Sequence, residues 1–551
     1  MNYATFDIES VNWIDLIYIG FYDGNDFYLF ETVSDFLRFV SKPKYKGYKI
    51  YAHNGGRFDF LFLLSDEKYF HNFSFGALQN GRPIQLFFNG VEFRDSFSLL
   101  PQSLDSLSKS FDVKHKKQKI DYSKIRKNKK TVEYLKYDCI ALYEILQKFF
   151  QSDYVKNYNL KLTIASQSLE VFSKGFSLFK ELSLPTSINS YLRKFYHGGR
   201  VEVYKMFGKN LNYYDINSLY PYVMLNEFPS GDFEFTKKYK NGYIGFYEVK
   251  CTLPNNYIGL GLVSKEKNYF VNGKGTYYFS SATIDFLVYT FGIKFKIING
   301  IYFKEKYTLF NNFVNFFYNI KQNSDGANKA IAKLFLNSLY GKFGQREIYE
   351  SIVEYNGQIK FKPLESDFFS GFVIVERNGK HLFSNVAIAS YITELARLEH
   401  LKYLLECNSN IYYCDTDSFL TTKKFDTSNE IGKLKLVGKY DEGIFLNSKC
   451  YALKNKNESK ILMKGFSSEL FNYNDFENAL YYNKEMSQEK NRMLGFKESM
   501  KRKNKVLHSN GAFLKLVSEK RTILEKYDKR KLIKNEKYVW NTEPFDFNEI
   551  L

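Results

Sequence analysis

Short runs in which apolar and polar residues alternate open the chain. Tyr3-Ala4-Thr5-Phe6-Asp7-Ile8-Glu9 has the period of two of a half-buried strand, and Ile17–Phe21 and Phe27–Phe30 follow suit, so residues 1–30 are predicted to be strands. The period then lengthens. Residues 131–150 (TVEYLKYDCIALYEILQKFF) predict a helix with Tyr134, Asp138 and Ala141 on one face. Residues 327–340 (ANKAIAKLFLNSLY) predict a second, stopped by Gly341. Residues 409–420 (SNIYYCDTDSFL) predict two short strands meeting at a tight Asp-Thr-Asp turn. From about residue 466 Lys and Glu recur at helical spacing, with basic runs such as Lys501-Arg502-Lys503 that suit a solvated helix face and phosphate contact equally well.

Composition narrows the class. The 551 residues suggest roughly three or four domain-sized units. With 44% hydrophobic and 19% aromatic residues, the chain can bury substantial cores. Lys and Arg total 79 against 60 Asp and Glu, a net charge of +19, which favours a polyanionic partner. No apolar run is long enough to span a bilayer, and the basic residues are interleaved with Tyr and Phe that can stack on bases, so nucleic acid is favoured over a membrane. The five cysteines form no C-x-x-C pair, which argues against a disulfide framework or a structural zinc and for a reducing, intracellular compartment. The opening MNYATFDIES lacks the pattern of a secretory signal.

Acidic residues then fall into two ordered sets. Asp7 and Glu9, two apart on a strand, point to one face; Asp59 follows in YAHNGGRFDFLFLL and Asp138 in the helical YLKYD. About four carboxylates around two Mg²⁺ ions are what phosphodiester hydrolysis requires. Tyr134, one turn before Asp138, is placed to orient a water. Lys117, within the basic run 114–119 and three residues before Ile120, is a candidate for the scissile phosphate. Candidate DNA contacts nearby are Tyr51, His53, Asn54, Phe58, Ser96 and Phe97. Singly, each of these is more simply a surface charge or a core aromatic.

The second set lies in YYDINSLYPYVM (213–224), KLFLNSLYGKFG (333–344) and YCDTDSF (413–419). Joining a nucleotide to a primer needs two aspartates holding two metals. Asp215 and Asp417 are the choice, with Asp415 in support. Lys333 is placed to meet a triphosphate, with Lys321 as a second cation, and Asn337, Ser338 and Tyr340 follow near the same face. Tyr340 would lie against the nascent base pair, and Tyr220 under the sugar, where its ring excludes a 2′-OH. A lone D-T-D is a common turn; three such segments in order are not.

D-x-x-S-L-Y-P, K-x-x-x-N-S-x-Y-G and Y-x-D-T-D-S resemble motifs A, B and C of family B DNA polymerases. The set D-x-E, N-x-x-x-F-D, Y-x-x-x-D resembles the DEDD exonucleases of the Tyr subtype, and the likeness covers nearly the whole chain. Tyr196-His197-Gly198-Gly199 resembles the Tyr-x-Gly-Gly element of the protein-primed branch, which implies that Tyr196, Gly198 and Gly199 touch DNA passing between the two sites. Lys449-Cys450-Tyr451 resembles the K-x-Y motif, so Lys449, Tyr451 and the following Lys464 would steady the primer. About 110 residues separate Pro221 from Lys333 and about 70 separate Gly341 from Asp415, too long for bare loops.

The resemblance therefore implies a mixed α/β and α+β multidomain fold. An RNase H-like 3′–5′ exonuclease domain (1–160) would precede a right-hand polymerase. The palm would occupy 161–250 and 386–465, the fingers 306–345 and the thumb 466–551. One insertion (251–305) would contact a terminal protein, and a second (346–385) would serve processivity and strand displacement. It also implies two Mg²⁺ per site, with Mn²⁺ able to substitute. Partners would be primer-template DNA, dNTPs and a separate terminal protein, the chain acting as a monomer or as a heterodimer with that protein in the host cytoplasm of a phage or plasmid element, or in an organelle matrix. The competing readings are a nucleic-acid-primed family B repair enzyme and a non-catalytic DNA-binding scaffold.

Overall fold

The computed structural model describes residues 2–66, 68–118, 125–354, 363–367, 372–379, 382–499, 508–510, 513–523, 527–534 and 539–550. The opening alternation becomes strands Tyr3–Val11, Asp15–Tyr22 and Phe27–Phe30, as the period of two predicts. They form one half of a seven-stranded sheet completed by Lys49–Ala52, Val91–Asp95, Gln85–Phe88 and Phe73–Phe75. Tyr3–Val11 and Lys49–Ala52 run parallel at its centre. The predicted helix is Lys129–Gln151, and it buries Tyr134, Asp138 and Ala141 together. A buried hydrogen bond from Thr5 Oγ1 to the Cys139 carbonyl (2.8 Å) fixes this helix to the first strand.

A second, fully antiparallel seven-stranded sheet has the order Val201–Val203, Ile411–Asp415, Ser418–Thr421, Phe207–Ile216, Leu434–Asn447, Cys450–Lys454, Ser459–Met463. The buried helix Val386–Cys407 packs against it. The helices Asn311–Asn323 and Gly326–Ser338 lie side by side above. The expected stop at Gly341 is not there. Leu339 keeps helical dihedrals (φ −64°, ψ −52°), and the chain runs on into a short helix Tyr340–Phe343 with Gly341 inside it. Gly341 is not among the glycines at positive φ, the conformation that would have ended the helix.

Strands Phe228–Thr236, Phe295–Tyr307, Gly245–Leu253 and Gly273–Ser280 form a four-stranded sheet carrying the helix Ser281–Phe291. This unit spans 228–307 and so is longer than the interval 251–305. The described residues within 346–385 include three strands, Ile348–Glu354, Pro363–Asp367 and Phe372–Asn378.

The C-terminal region overturns the expectation of helices. Its main elements are strands, Met486–Met493 on Leu514–Ile523 and Lys531–Lys534 on Val539–Glu543; the longest described helix there is Tyr473–Tyr482. Met486 and Gln488 are buried while Ser487 and Glu489 are exposed, a period of two. The Lys/Glu-rich composition is spent on cross-strand pairs, such as Lys490 opposite Glu519 and Arg492 Nε bonded to Glu519 (2.6 Å). Lys501–Lys503, Lys119 and Ile120 lie outside the described residues. Ile352, Ile374, Phe496, Phe513 and Leu514 join the core of the first sheet, so the chain's late segments close back onto its beginning.

Among the described residues no helix is long and apolar enough to cross a membrane. All five cysteines are free and buried.

Candidate active sites

The first cluster is built from three elements. Asp7 and Glu9 come from the central strand, Asp59 opens the helix Asp59–Leu64, and Asp138 sits on the long helix fixed at Thr5. Asp59 Oδ1 accepts from the amide of Ile8 (3.0 Å), the residue between Asp7 and Glu9. Burial, and then the charge of Asp138, push Asp7 up to about 7. Burial, then Asp7 and Asp138, push Glu9 up to about 9. Asp59 is raised by burial and by Asp7. Asp138 is also raised by burial, against the pull of Lys117 and of the Tyr134 hydroxyl that bonds it. The Lys117 ammonium donates to Asp138 Oδ2 and lies 5.2 Å from the centre of the Tyr134 ring.

Among the described residues no three carboxylate, histidine or cysteine groups form a ready-made metal cage. The donor set nevertheless suits a hard divalent cation. Asp7, Glu9 and Asp59 have their proton affinity raised by neighbouring carboxylates, and among the described residues the buried Asp138 Oδ1 has no hydrogen-bond partner.

The loop before Asp59 is held tightly, with Gly55 and Gly56 between Asn54 and Phe58. Asn54 is left-handed (φ +66°), and the Gly56 amide donates to Asp95 Oδ2 (3.1 Å). A β-carbon on Gly56 would stand 2.3 Å from the Pro83 carbonyl oxygen. Asp95, which the sequence reading missed, also accepts from the Phe97 amide (2.9 Å). Phe58 is half-buried with its ring edge-on to Phe62. Two expected DNA contacts are corrected: Tyr51 is enclosed near Tyr3 and Phe150, and Ser96 is fully buried with its hydroxyl on the Ala52 carbonyl (2.9 Å). Both small polar tips are consumed by the core. His53 bonds Ser96 Oγ through Nδ1 (3.0 Å) and the Gln102 carbonyl through Nε2 (2.8 Å), and Phe97 packs beside it.

The second cluster lies at one end of the second sheet. The predicted turn is present: strands Ile411–Asp415 and Ser418–Thr421 flank Thr416 at φ +63°. Asp215 pairs with Ser418 across the sheet, and the Ile216 amide donates to the Asp417 carbonyl (2.8 Å), so Asp215, Asp415 and Asp417 come together. Burial, then Asp215, push Asp417 up to about 6. The other two carboxylates are held by ammonium groups. Lys449 lies 2.8 Å from Asp415, and Lys435, unnoticed in the sequence, lies 2.8 Å from Asp215. Lys435 stands directly opposite Asp215 in the strand register, a pairing that depends on a long-range register no local pattern reveals.

Lys333 and Asn337 are exposed one turn apart on the helix Gly326–Ser338. Ser338 turns its hydroxyl to the Leu334 carbonyl. Lys321 Nζ donates to Ser218 Oγ (2.7 Å), beside motif A. Tyr220 and Tyr340 stack with ring centres 4.5 Å apart and planes 8° from parallel. Lys464 is exposed, and its amide donates to the Lys449 carbonyl (2.9 Å). Tyr451 is corrected: it is buried between Tyr413 and Phe445 rather than facing a primer, because it points to the core side of its strand.

The Tyr-x-Gly-Gly segment is clamped against this cluster. Tyr196 lies against Gly344 at the end of the fingers-like helices. Arg397 donates to the carbonyls of His197 (2.6 Å) and Gly198 (3.1 Å), and the Thr416 amide donates to the Arg200 carbonyl (2.7 Å). Gly198 is exposed and has open space around it. Behind the clamp Glu202 is buried between Arg200 (3.4 Å) and Arg530 (3.7 Å).

Residues 41–132 and 127–375 match the family described as DNA polymerase type B, organellar and viral. The chain is 28% identical over 499 residues to a probable DNA polymerase of Podospora anserina, which covers 72% of this chain and 41% of that one. It is 27% identical over 543 residues to one of Neurospora intermedia, covering 79% and 55%. It therefore spans about half the length of these fungal relatives. It is 28% identical over 477 residues to the DNA-directed DNA polymerase of Enterobacteria phage PRD1, covering 81% of each. In fold it resembles phi29 DNA polymerase in a ternary complex with primer-template DNA and incoming nucleotide (TM-score 0.74, 19% identity, 95% of this chain and 100% of that one). The family match takes in more than half of the 551 residues, and the chain belongs to the organellar and viral type B DNA polymerases.

Proposed function

We propose that the chain is a template-directed, protein-primed DNA polymerase with a separate 3′→5′ proofreading site. The observation that carries this reading is the presence of two carboxylate clusters on two different sheets, the first largely buried and the second half-buried, each with its own lysines. Divalent cations, Mg²⁺ or Mn²⁺, held by Asp215 and Asp417 at one site and by Asp7, Glu9, Asp59 and Asp138 at the other, would activate the attacking oxygen and neutralise charge on the phosphate.

At the polymerase site Lys333 and Lys321 hold the triphosphate, and the Tyr220–Tyr340 stack forms the floor on which the sugar and nascent base pair settle. Tyr220 excludes a 2′-OH. Asp215 and Asp417 are the working pair, with Asp415, paired with Lys449, in support. At the trimming site Tyr134 orients the water and Lys117 meets the scissile phosphate. The natural partners are primer-template DNA, dNTPs and a separate terminal protein, in the cytoplasm of the host of a phage or plasmid element or in an organelle matrix.

The test supplies the chain with primer-template, dNTPs and Mg²⁺, and separately with candidate terminal proteins, dATP and Mn²⁺. Extension together with a nucleotidylated protein is expected. Extension with no candidate nucleotidylated would favour nucleic-acid priming, and failure of extension would overturn the reading as a whole.

A further inference from the structure

The strand that bears Asp7 and Glu9 turns into its neighbour through Asn12 and Trp13, both left-handed (φ +51° and +70°). Asparagine tolerates that conformation; a bulky aromatic residue there is an outlier, and glycine is what a tight hairpin ordinarily places at such a position. Nor does the ring compensate by burial. Trp13 is 51% exposed, while the next residue, Ile14, is buried in the core. Among the described residues the indole's aromatic contact is with Phe58, edge-on with ring centres 6.3 Å apart and planes at 81°.

Phe58 directly precedes Asp59, and Trp13 follows Glu9 by one turn of hairpin. Two sequence-remote aromatic rings therefore meet as a pair beside the helix that carries Asp59. A site lined by carboxylates repels the phosphates of its substrate, so affinity must be found elsewhere. The π-face of an unpaired base supplies it without regard to sequence. A base still paired and stacked in duplex cannot present that face.

We propose that Trp13 is a base-stacking residue of the first site: with Phe58 it takes an unpaired base at the 3′ end of single-stranded DNA, so that a frayed terminus is held and a paired one is not. This rests on the exonuclease reading given above.

The chain has two tryptophans, so Trp540→Phe leaves the emission of the full-length protein to Trp13. Titrating that variant with oligo(dT) in EDTA is expected to quench the emission, whereas a blunt duplex of equal length leaves it nearly unchanged. In the wild-type background Trp13→Gly relieves the backbone, so lost folding cannot account for its effect. Its KM for 3′-single-stranded DNA is expected to rise about tenfold, the scale of one base–aromatic stack, with kcat within about twofold, and Trp13→Phe is expected to recover most of the loss. Degradation by the wild type with no quenching and an unchanged KM in Trp13→Gly overturns the assignment and leaves the exonuclease reading intact. Quenching without degradation by the wild type supports the stacking role and sinks the exonuclease reading.

Discussion

Gly199 lies directly beneath Thr416: a β-carbon on the glycine would stand 2.8 Å from the threonine Cγ2 and 3.1 Å from its Cα. Thr416 separates Asp415 from Asp417 and is tied to the next residue, Arg200, through its amide. The segment between the two sites is thus in contact with the turn that carries two of the three carboxylates of the second cluster. Because the obstacle includes backbone, Gly199→Ala should displace the turn at a cost of about 1–3 kcal/mol. Primer extension should fall by tenfold or more while single-strand degradation persists; equal rates for wild type and variant would contradict the contact's importance.

Asp95 offers a complementary lesion on the other side. It anchors the loop that presents Asp59 by accepting from Gly56 and Phe97. Asp95→Ala leaves the buried Gly56 amide and the half-buried Phe97 amide unpaired, up to about 1–3 kcal/mol each. We expect degradation to drop and extension to remain. A variant with unchanged degradation would show that the loop holds itself.

Glu202 is fully buried between two arginines, and Arg530 also donates to the carbonyls of Tyr257 and Ile258. Removing one member leaves a buried charge without compensation, which typically costs about 3–5 kcal/mol. Glu202→Ala should therefore lower the urea midpoint steeply. A loss of less than about 1 kcal/mol would mean that the arginines are satisfied by carbonyls alone.

Two histidines set an acid limit. Burial, and then the charge of Lys117, hold His53 down to about 4. Burial and Arg200 hold His400 down to about 3. The folded chain keeps both rings neutral, whereas an unfolded chain protonates them near 6.5. Their contribution to stability is therefore complete above pH 6.5 and is lost as pH falls toward 4 for His53 and 3 for His400. His53→Gln should flatten the stability profile between pH 6.5 and 4 by up to about 1.4 kcal/mol per pH unit. An identical slope in both proteins would contradict this.

The carboxylates were legible in the sequence because their motifs are local: D-x-E on one strand, Y-x-x-x-D on one helix face, D-T-D in one turn. The same locality made the first three strands and the helix around Asp138 readable. What escaped depends on distant pairings. Lys435 meets Asp215 only through strand register, Asp95 reaches Gly56 across a loop, and the Glu202 triad joins residues more than three hundred positions apart. Tyr51, Ser96 and Tyr451 were misplaced because a polar tip on a strand looks the same whether it faces DNA or completes a core. The C-terminal strands were hidden by charged residues whose helix propensity is outweighed by cross-strand pairing.

The central claim is that two separate clusters extend and trim DNA. It is tested most directly by comparing Asp215→Ala with the double variant Asp7→Ala/Glu9→Ala on one labelled primer-template, with and without dNTPs. The account predicts that the first loses extension and keeps 3′→5′ degradation, and that the second loses degradation and keeps extension. Loss of both activities in either variant, or extension surviving Asp215→Ala, would contradict it.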